Sequence, residues 1–410
     1  MTALVVRADE PVTPEGAVAI ALAENRDLAA ARFAIREAEG RLSQVGVRPN
    51  PEVELRQAND VLFGNEGEYN LSLGFKQRFP ITGRLAKAKA VARVDVARAA
   101  AEVRNQERLV AGEVLGRARE LLVIQQKIRT NEKIQDSIRA LIDVSERRLQ
   151  AAEVSAADVN AAKLALQQVV LAQAELLSQR DAGTATLNAL LGRDPDALLN
   201  LSGSLSTQYL VTDSADAVRV AISRRPDRQL VALGIDRAEA ETALARAEKW
   251  EDVTVGLDYG RDYARFIPPV GGKLDNSIGV SVSVPLPLWN KNQGRLSEVQ
   301  ATRQRALAEM RALELQISAE IKNAEKRQIR LAAVLDSYAN ETTNLANDNL
   351  ALVQQGYANG LLAVTAVIQA QQQLTALRQS YLDTLGEFLK AKTEWETATA
   401  TLPYDQTHSR

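Results

Sequence analysis

The 410-residue chain has no cysteine, a single histidine, a formal net charge of −2 and only 4% aromatic residues. That excludes disulfides, thiolate metal sites and a lipid-modified N-terminal cysteine, and it leaves no basic field for nucleic acid. The one histidine, His408, stands in the polar tail, so the body of the chain has no histidine-based catalysis or metal cluster. Ala, Leu, Gln, Glu and Arg dominate long stretches, a mixture that favours long helices packed through small side chains over several compact cores. No apolar run approaches the ~18 residues of a membrane-spanning helix. Residues 1–10, with Arg7, Asp9 and Glu10, lack the apolar core of a secretory signal.

Residues 15–45 carry apolar side chains at Val18, Leu22, Leu28, Ala31, Ile35, Ala38 and Leu42, the spacing of one helix face. Pro49 and Pro51 end that helix. Strands are expected at about 51–58 and 69–79. Val53, Leu55 and Gln57 alternate with Glu52, Glu54 and Arg56, and Leu71, Leu73 and Phe75 alternate with Asn70, Ser72, Gly74 and Lys76. Each segment is close to the roughly 9–11 residues that a tilted strand needs to cross a bilayer. A half-buried soluble sheet would alternate in the same way. A polar loop over 59–68 joins the two.

From Arg84 to about Ala151 there is no proline, and the glycines are Gly112 and Gly116 alone. The segment reads as one helix about 100 Å long, which demands a coiled-coil partner or a place in a tube wall. A turn at 149–159 leads into a return helix over about 156–191, and residues 194–213 form a connector.

The same order of features then recurs. Ala17-Val18 returns as Ala217-Val218, Asp27 as Asp227, Ile35 as Ile235 and Ala38-Glu39 as Ala238-Glu239. The second copy has a helix over about 215–250 and strands at about 252–260 and 276–286. A helix over 295–359 holds only Gly356, and a return helix covers 363–399. The Gly83-Arg84-Leu85 triplet after the first strand pair recurs as Gly294-Arg295-Leu296 after the second. Val270-Gly271-Gly272-Lys273 is no phosphate loop, because Leu274 stands where Ser or Thr is required. The fold expected is mainly α with β: a tandem repeat, 1–213 and 214–410, of strand pairs and very long helices.

This order resembles the TolC family of outer-membrane efflux ducts over nearly the whole chain. The string Val284-Pro285-Leu286-Pro287-Leu288-Trp289-Asn290-Lys291-Asn292-Gln293-Gly294 is similar to the strand-to-helix junction of the heavy-metal, CzcC-like branch, as is Gln77-Arg78-Phe79-Pro80-Ile81-Thr82-Gly83-Arg84. The resemblance implies a homotrimer in a Gram-negative outer membrane. Each protomer would give four strands to a 12-stranded transmembrane β-barrel, and the helices would continue it as a periplasmic coiled-coil barrel. It implies as partners a periplasmic adaptor (membrane fusion) protein, an inner-membrane RND pump and outer-membrane lipid. It implies passive conduction, of divalent heavy-metal cations by the branch and of drugs or other small molecules as the alternative. A soluble coiled-coil scaffold is the rival in another class. No cofactor and no nucleic-acid partner are expected. No nucleophile, base or oxyanion constellation points to an enzyme.

The resemblance also assigns residues. The turns Ala152, Glu153, Val154, Ser155 and Gly360, Leu361 would meet the adaptor, although Ala152 stands where the family has glycine and tolerates positive φ poorly. Asp158 would give a constricting ring of three carboxylates, or else cap the return helix. Ala366 holds the matching place in the second copy. Tyr69, Phe79, Trp250, Tyr259, Tyr263 and Trp289 are candidates for the aromatic belt at the membrane boundary, with packing at the barrel-to-tunnel junction the alternative for Trp289. Trp395 is expected to pack in the connector region.

Overall fold

The computed structural model describes residues 11–60, 67–208, 214–265, 271–338 and 342–402. The 1–10 segment, Val270 and His408 lie outside the described residues. In chain order, α1 (Pro14–Glu24), α2 (Arg26–Val45), β1 (Glu52–Asn59), β2 (Tyr69–Phe79), α3 (Arg84–Gln150) and α4 (Ala156–Leu190) come first. Then follow α5 (Ser214–Arg224), α6 (Pro226–Ala247), β3 (Val253–Arg265), β4 (Gly272–Ser283), α7 (Gln293–Ser337), α8 (Thr343–Ala358) and α9 (Val364–Ala398). Two compact units arise, one from residues 1–31, 103–226 and 313–410, the other from 32–102 and 227–312. Each draws on both halves of the sequence.

Two expected helices are divided, and a third carries π-helical turns. In 15–45 the break is Asn25, whose backbone leaves the helical region at φ −60, ψ 125. Its Oδ1 accepts from the Leu28 N–H at 2.9 Å, starting α2, and its Nδ2 donates to the Leu190 carbonyl at 2.8 Å. In 215–250 the break is at Pro226, the first residue of α6, which has no N–H to continue α5. In 295–359 the described α-helical segments are Gln293–Ser337 and Thr343–Ala358, and residues 339–341 lie outside the described residues. Tyr338 and Thr342 lie in π-helical turns. The Thr343 hydroxyl donates to the Tyr338 carbonyl at 2.8 Å, five residues back, which is the reach of a widened turn.

In the first unit, α1, α3 and α4 close on Val18, Val114, Leu115, Leu187 and Leu191, joined by Leu402 from the end of the described chain. Each such side chain gains roughly 1.5–3 kcal/mol on leaving water. Phe388 of α9, fully buried, centres a second cluster with Leu335, Leu382 and Leu385. Trp395 packs half-buried against Ala217, Ala221, Ile317 and Ile321. Lys392 of α9 donates to the Gln208 carbonyl at 2.8 Å, and burial pushes its ammonium pKa down against the pull of Glu396.

The second unit holds one antiparallel sheet in the order β1-β2-β3-β4. β3 runs on past the expected end at 260 to Arg265, and β4 starts at Gly272, ahead of the expected 276. β4 stops at Ser283 rather than 286, because Pro285 has no N–H for the ladder. The recurring Gly-Arg-Leu triplet has a structural use. Arg84 grips Asp252 through two hydrogen bonds, Nε to Oδ1 at 2.7 Å and Nη2 to Oδ2 at 2.5 Å, and that bonding raises its pKa. Arg295 bonds Glu298 at 2.6 Å and Glu241 at 3.3 Å. Both arginines tie the start of a long helix to the chain that feeds the sheet.

Candidate channel wall and helix tips

The register of the sheet sorts its residues into two faces. On one, Val53, Phe75, Leu257 and Val280 form a cross-strand row, and Leu55, Leu73, Tyr259 and Ile278 form the next. Val255 and Val282 flank the first row, with Gln77 beside them. The other face carries Glu52, Glu54, Arg56, Ser72, Lys76, Asp258, Asp262, Ser277 and Ser281 around Gly74, Gly256, Gly260 and Gly279. Cations there are paired: Lys76 and Arg56 with Glu54, and Arg78 with Glu52. The apolar face is bare in the isolated chain. Val53 is 71%, Val280 73% and Ile278 78% exposed. A surface this contiguous and apolar marks contact with a partner or a membrane.

Aromatic residues mark both ends of the sheet. Tyr69 and Tyr263 are cross-strand partners at the end near the hairpin loops, stacked at 5.8 Å with an interplanar angle of 19°. At the other end Phe79 pairs with Val253, Trp250 precedes β3 and Trp289 follows β4. Trp289 is 87% exposed, so the isolated chain gives it no packing at the junction. Tyr259 departs from the expected belt. Its register with Leu73 and Ile278 sets it nearer the middle of the sheet, and its hydroxyl donates to Asn276 Oδ1 at 2.9 Å.

The two helix-tip turns have the same geometry. At the first, Ala152 takes φ 58, its N–H bonds the Leu149 carbonyl at 2.9 Å, and the Glu153 N–H bonds the Arg148 carbonyl at 2.8 Å. At the second, Gly360 takes φ 75, with matching bonds to Tyr357 at 3.0 Å and from Leu361 to Gly356 at 2.8 Å. Both are the double closure in which a left-handed residue ends a helix. Alanine at the first position carries a steric cost of roughly 1–2 kcal/mol, yet the turn is as tight as the glycine one.

Asp158 lies one turn beyond, at the start of α4. Its Oδ2 accepts from the Ser155 N–H at 3.1 Å and the Ser155 hydroxyl at 2.8 Å, while Ser155 Oγ accepts from the Asp158 N–H at 3.2 Å. This reciprocal capping box makes Asp158 a helix-start residue in the isolated chain. Ala363, which opens α9, makes no such side-chain bond.

Sequence reasoning missed the residue that joins the tips. Arg148 Nε donates to Glu153 Oε2 at 2.9 Å, Nη1 donates to the Tyr357 carbonyl, and the guanidinium carbon sits 4.7 Å from the centre of the Tyr357 ring. The Tyr357 hydroxyl meets Ser145 Oγ at 2.9 Å. Basic residues do favour the last turn of a helix, as Arg147 and Arg148 do here. No local pattern, however, tells which of the two turns toward another helix.

The outer membrane efflux protein family model matches residues 17–193 and 217–401. The chain belongs to that family. It is therefore an efflux channel rather than an enzyme, with its place in a Gram-negative outer membrane. It is 23% identical over 394 residues to the cobalt-zinc-cadmium resistance protein CzcC of Cupriavidus metallidurans, covering 93% of this chain and 88% of that one. Among solved structures it is similar to CusC, described with transmembrane channel formation, with a TM-score of 0.74 at 16% identity over 94% of this chain and 91% of that one. The outer membrane protein VceC of Vibrio cholerae gives a TM-score of 0.72 at 17% identity over 94% and 95%. The fold is that of the trimeric TolC-type channels. No helix among the described residues is long and apolar enough to cross a membrane.

Proposed function

We propose that three copies close one 12-stranded barrel in lipid, and that their helices extend it as a duct through which divalent heavy-metal cations pass passively. The observation that carries this is the sheet. Its apolar face is bare, and β1 and β4 are edge strands. In lipid an open edge leaves backbone N–H and C=O groups without partners, and closure across copies removes both edges at once. The 11 residues of β2 span about 25 Å when tilted, the height of an outer-membrane apolar band. Metal cargo is suggested by the name of the cobalt-zinc-cadmium relative. The turns at Ala152, Glu153, Val154, Ser155, Gly360 and Leu361 are the proposed contact with an adaptor, and a pump supplies the drive.

The helices support side-by-side copies independently. α4 packs on α3 and α9 through Ala162 and Leu166, and α8 packs on the same two through Leu350, Val353 and Tyr357. Leu164 and Leu171 of α4, and Leu345 and Leu352 of α8, are nonetheless 66–72% exposed. Each pair has heptad spacing. Leu164 lies about 13 Å along the helix from Ser155, and Leu352 about 12 Å from Gly360; Leu171 and Leu345 lie at about 24 and 22 Å. Because α4 leaves the tip and α8 approaches it, these leucines meet level when α4 of one copy lies beside α8 of the next. In this cysteine-free chain, Leu171→Cys with Leu345→Cys is expected to yield a disulfide-linked trimer on a non-reducing gel. Monomers alone would refute the pairing.

The deciding experiment is single-channel conductance of the purified trimer in a planar bilayer, repeated with Asp158→Asn. Asparagine keeps an acceptor for the cap and removes the charge. Discrete, cation-selective steps that lose selectivity in the variant are expected if Asp158 rings the mouth. Unchanged selectivity leaves Asp158 as a cap alone. No steps from a folded, membrane-embedded trimer would end the duct reading. Growth of a deletion strain on cobalt, zinc or cadmium, set against dyes and antibiotics, separates metal from drug cargo.

A further inference from the structure

We propose that Arg261 is the centre of a binding site for the phosphate of an outer-leaflet lipid headgroup; the proposal rests on the barrel reading above. Residues 253, 255, 257, 259, 261 and 263 of β3 share one face, so Arg261 stands on the apolar side, in the row Gln57, Leu71, Arg261, Asn276. The remaining cations of the sheet with described side chains are on the polar side beside a carboxylate: Arg56 and Lys76 at Glu54, Arg78 at Glu52, Lys273 at Asp275. Arg261 is exposed, and neither its row nor its same-face neighbours along β3, Tyr259 and Tyr263, carry an acid. A guanidinium facing hydrocarbon is costly unless it reaches the interface and meets an anion there.

Its depth fits that demand. From Val253, at the helix end of the sheet, Arg261 is about 20 Å along the barrel axis for a strand tilted by about 40°. That brings it near the far border of an apolar band about 25 Å high. The surroundings are shaped for an amphiphile. Toward the middle of the sheet, Leu73, Leu257, Ile278 and Val280 offer an apolar track for acyl chains. Toward the loops, Tyr263 stacks on Tyr69, a rigid amphipathic pair at headgroup level. Asn276 is the cross-strand partner of Arg261, and its Oδ1 is held by the Tyr259 hydroxyl, which fixes the amide with its NH2 as donor. A fork of guanidinium donors with an amide donor beside it matches a phosphate bearing two or three free oxygens. Carboxylates would fill the fork less completely, and a choline or ethanolamine head would bring a cation against a cation.

The test is native mass spectrometry of the detergent-solubilised trimer, titrated with diphosphorylated lipid A, with the same lipid after phosphatase treatment, and with inorganic phosphate. The expected result is up to three phosphorylated lipids per trimer. Affinity should fall about tenfold in Arg261→Gln and much less in Arg261→Lys, with weak binding of the dephosphorylated lipid and no competition by millimolar inorganic phosphate. Equal binding by wild type and Arg261→Gln would overturn the site, as would equal binding of the dephosphorylated lipid. Displacement by inorganic phosphate would reassign it to a free anion. Conductance of the wild-type trimer distinguishes the two levels of failure. Steps with phosphate-independent lipid binding overturn the site and keep the duct, whereas no steps overturn the reading beneath both.

Discussion

Leu257→Arg is expected to abolish assembly into the outer membrane, whereas Ser281→Arg, one strand over, is expected to be tolerated. Leu257 lies in the row of Val53, Phe75 and Val280, near the middle of the apolar face. An arginine facing lipid at mid-depth costs about 2–4 kcal/mol, so three copies carry about 6–12 kcal/mol in one barrel. That is comparable with the whole folding stability of an ordinary domain. Ser281 is the partner of Gly256 on the opposite face, beside Lys76, where a long polar side chain stays in water. Outer-membrane fractions probed for heat-modifiable trimer read both variants. If Leu257→Arg assembles normally while Ser281→Arg does not, the two faces have been assigned the wrong way round.

Much of this was legible because strands repeat every two residues and helices every 3.6, and both periods survive in a single sequence. The alternation around Val53 and Val280 fixed the faces before any register was known. The absence of proline between Arg84 and Ala151 gave α3 almost to the residue. Element ends were less legible, though their signals were present: Pro226 divides α5 from α6, and Pro285 stops β4. Asn25 was harder, since an asparagine in a helical pattern becomes a break only when its side chain finds Leu190 across the fold. The widened turn after Ser337 was hidden for a related reason. The threonine hydroxyl that supports it competes locally with the backbone, and its outcome depends on neighbours. Asp158 could be read as a ring or a cap from sequence, and only the structure shows the capping box it makes with Ser155 in the isolated chain. Contacts such as Arg148 with Tyr357 join residues remote in the chain, so no window of sequence contains them.

Gly112 and Gly116 look alike in sequence, yet substitution should move stability in opposite directions. A Cβ on Gly112 would sit 2.4 Å from Thr397 Oγ1, 3.0 Å from its Cγ2 and 3.3 Å from its Cβ. Thr397 cannot simply turn aside. It is branched at Cβ, and its hydroxyl donates to the Thr393 carbonyl at 2.8 Å. A Cβ on Gly116 would rest 3.7 Å from Thr393 Cγ2, an ordinary contact. Gly116→Ala should therefore stabilise the helix by up to about 1 kcal/mol, because it removes backbone freedom without a clash. Gly112→Leu must instead push α3 away from α9. That separation strains the Arg108 bond to the Thr397 carbonyl at 3.0 Å and the Arg119 pair with Glu396 at 2.8 Å, which is largely shielded from water. Overpacking costs about 1–3 kcal/mol, and the strained bonds add to it, against a propensity gain below about 1 kcal/mol. A net loss of roughly 1–3 kcal/mol is expected in denaturant unfolding of the full chain in detergent. A Gly112→Leu variant as stable as wild type would mean that α3 and α9 do not approach this closely in the assembled protein.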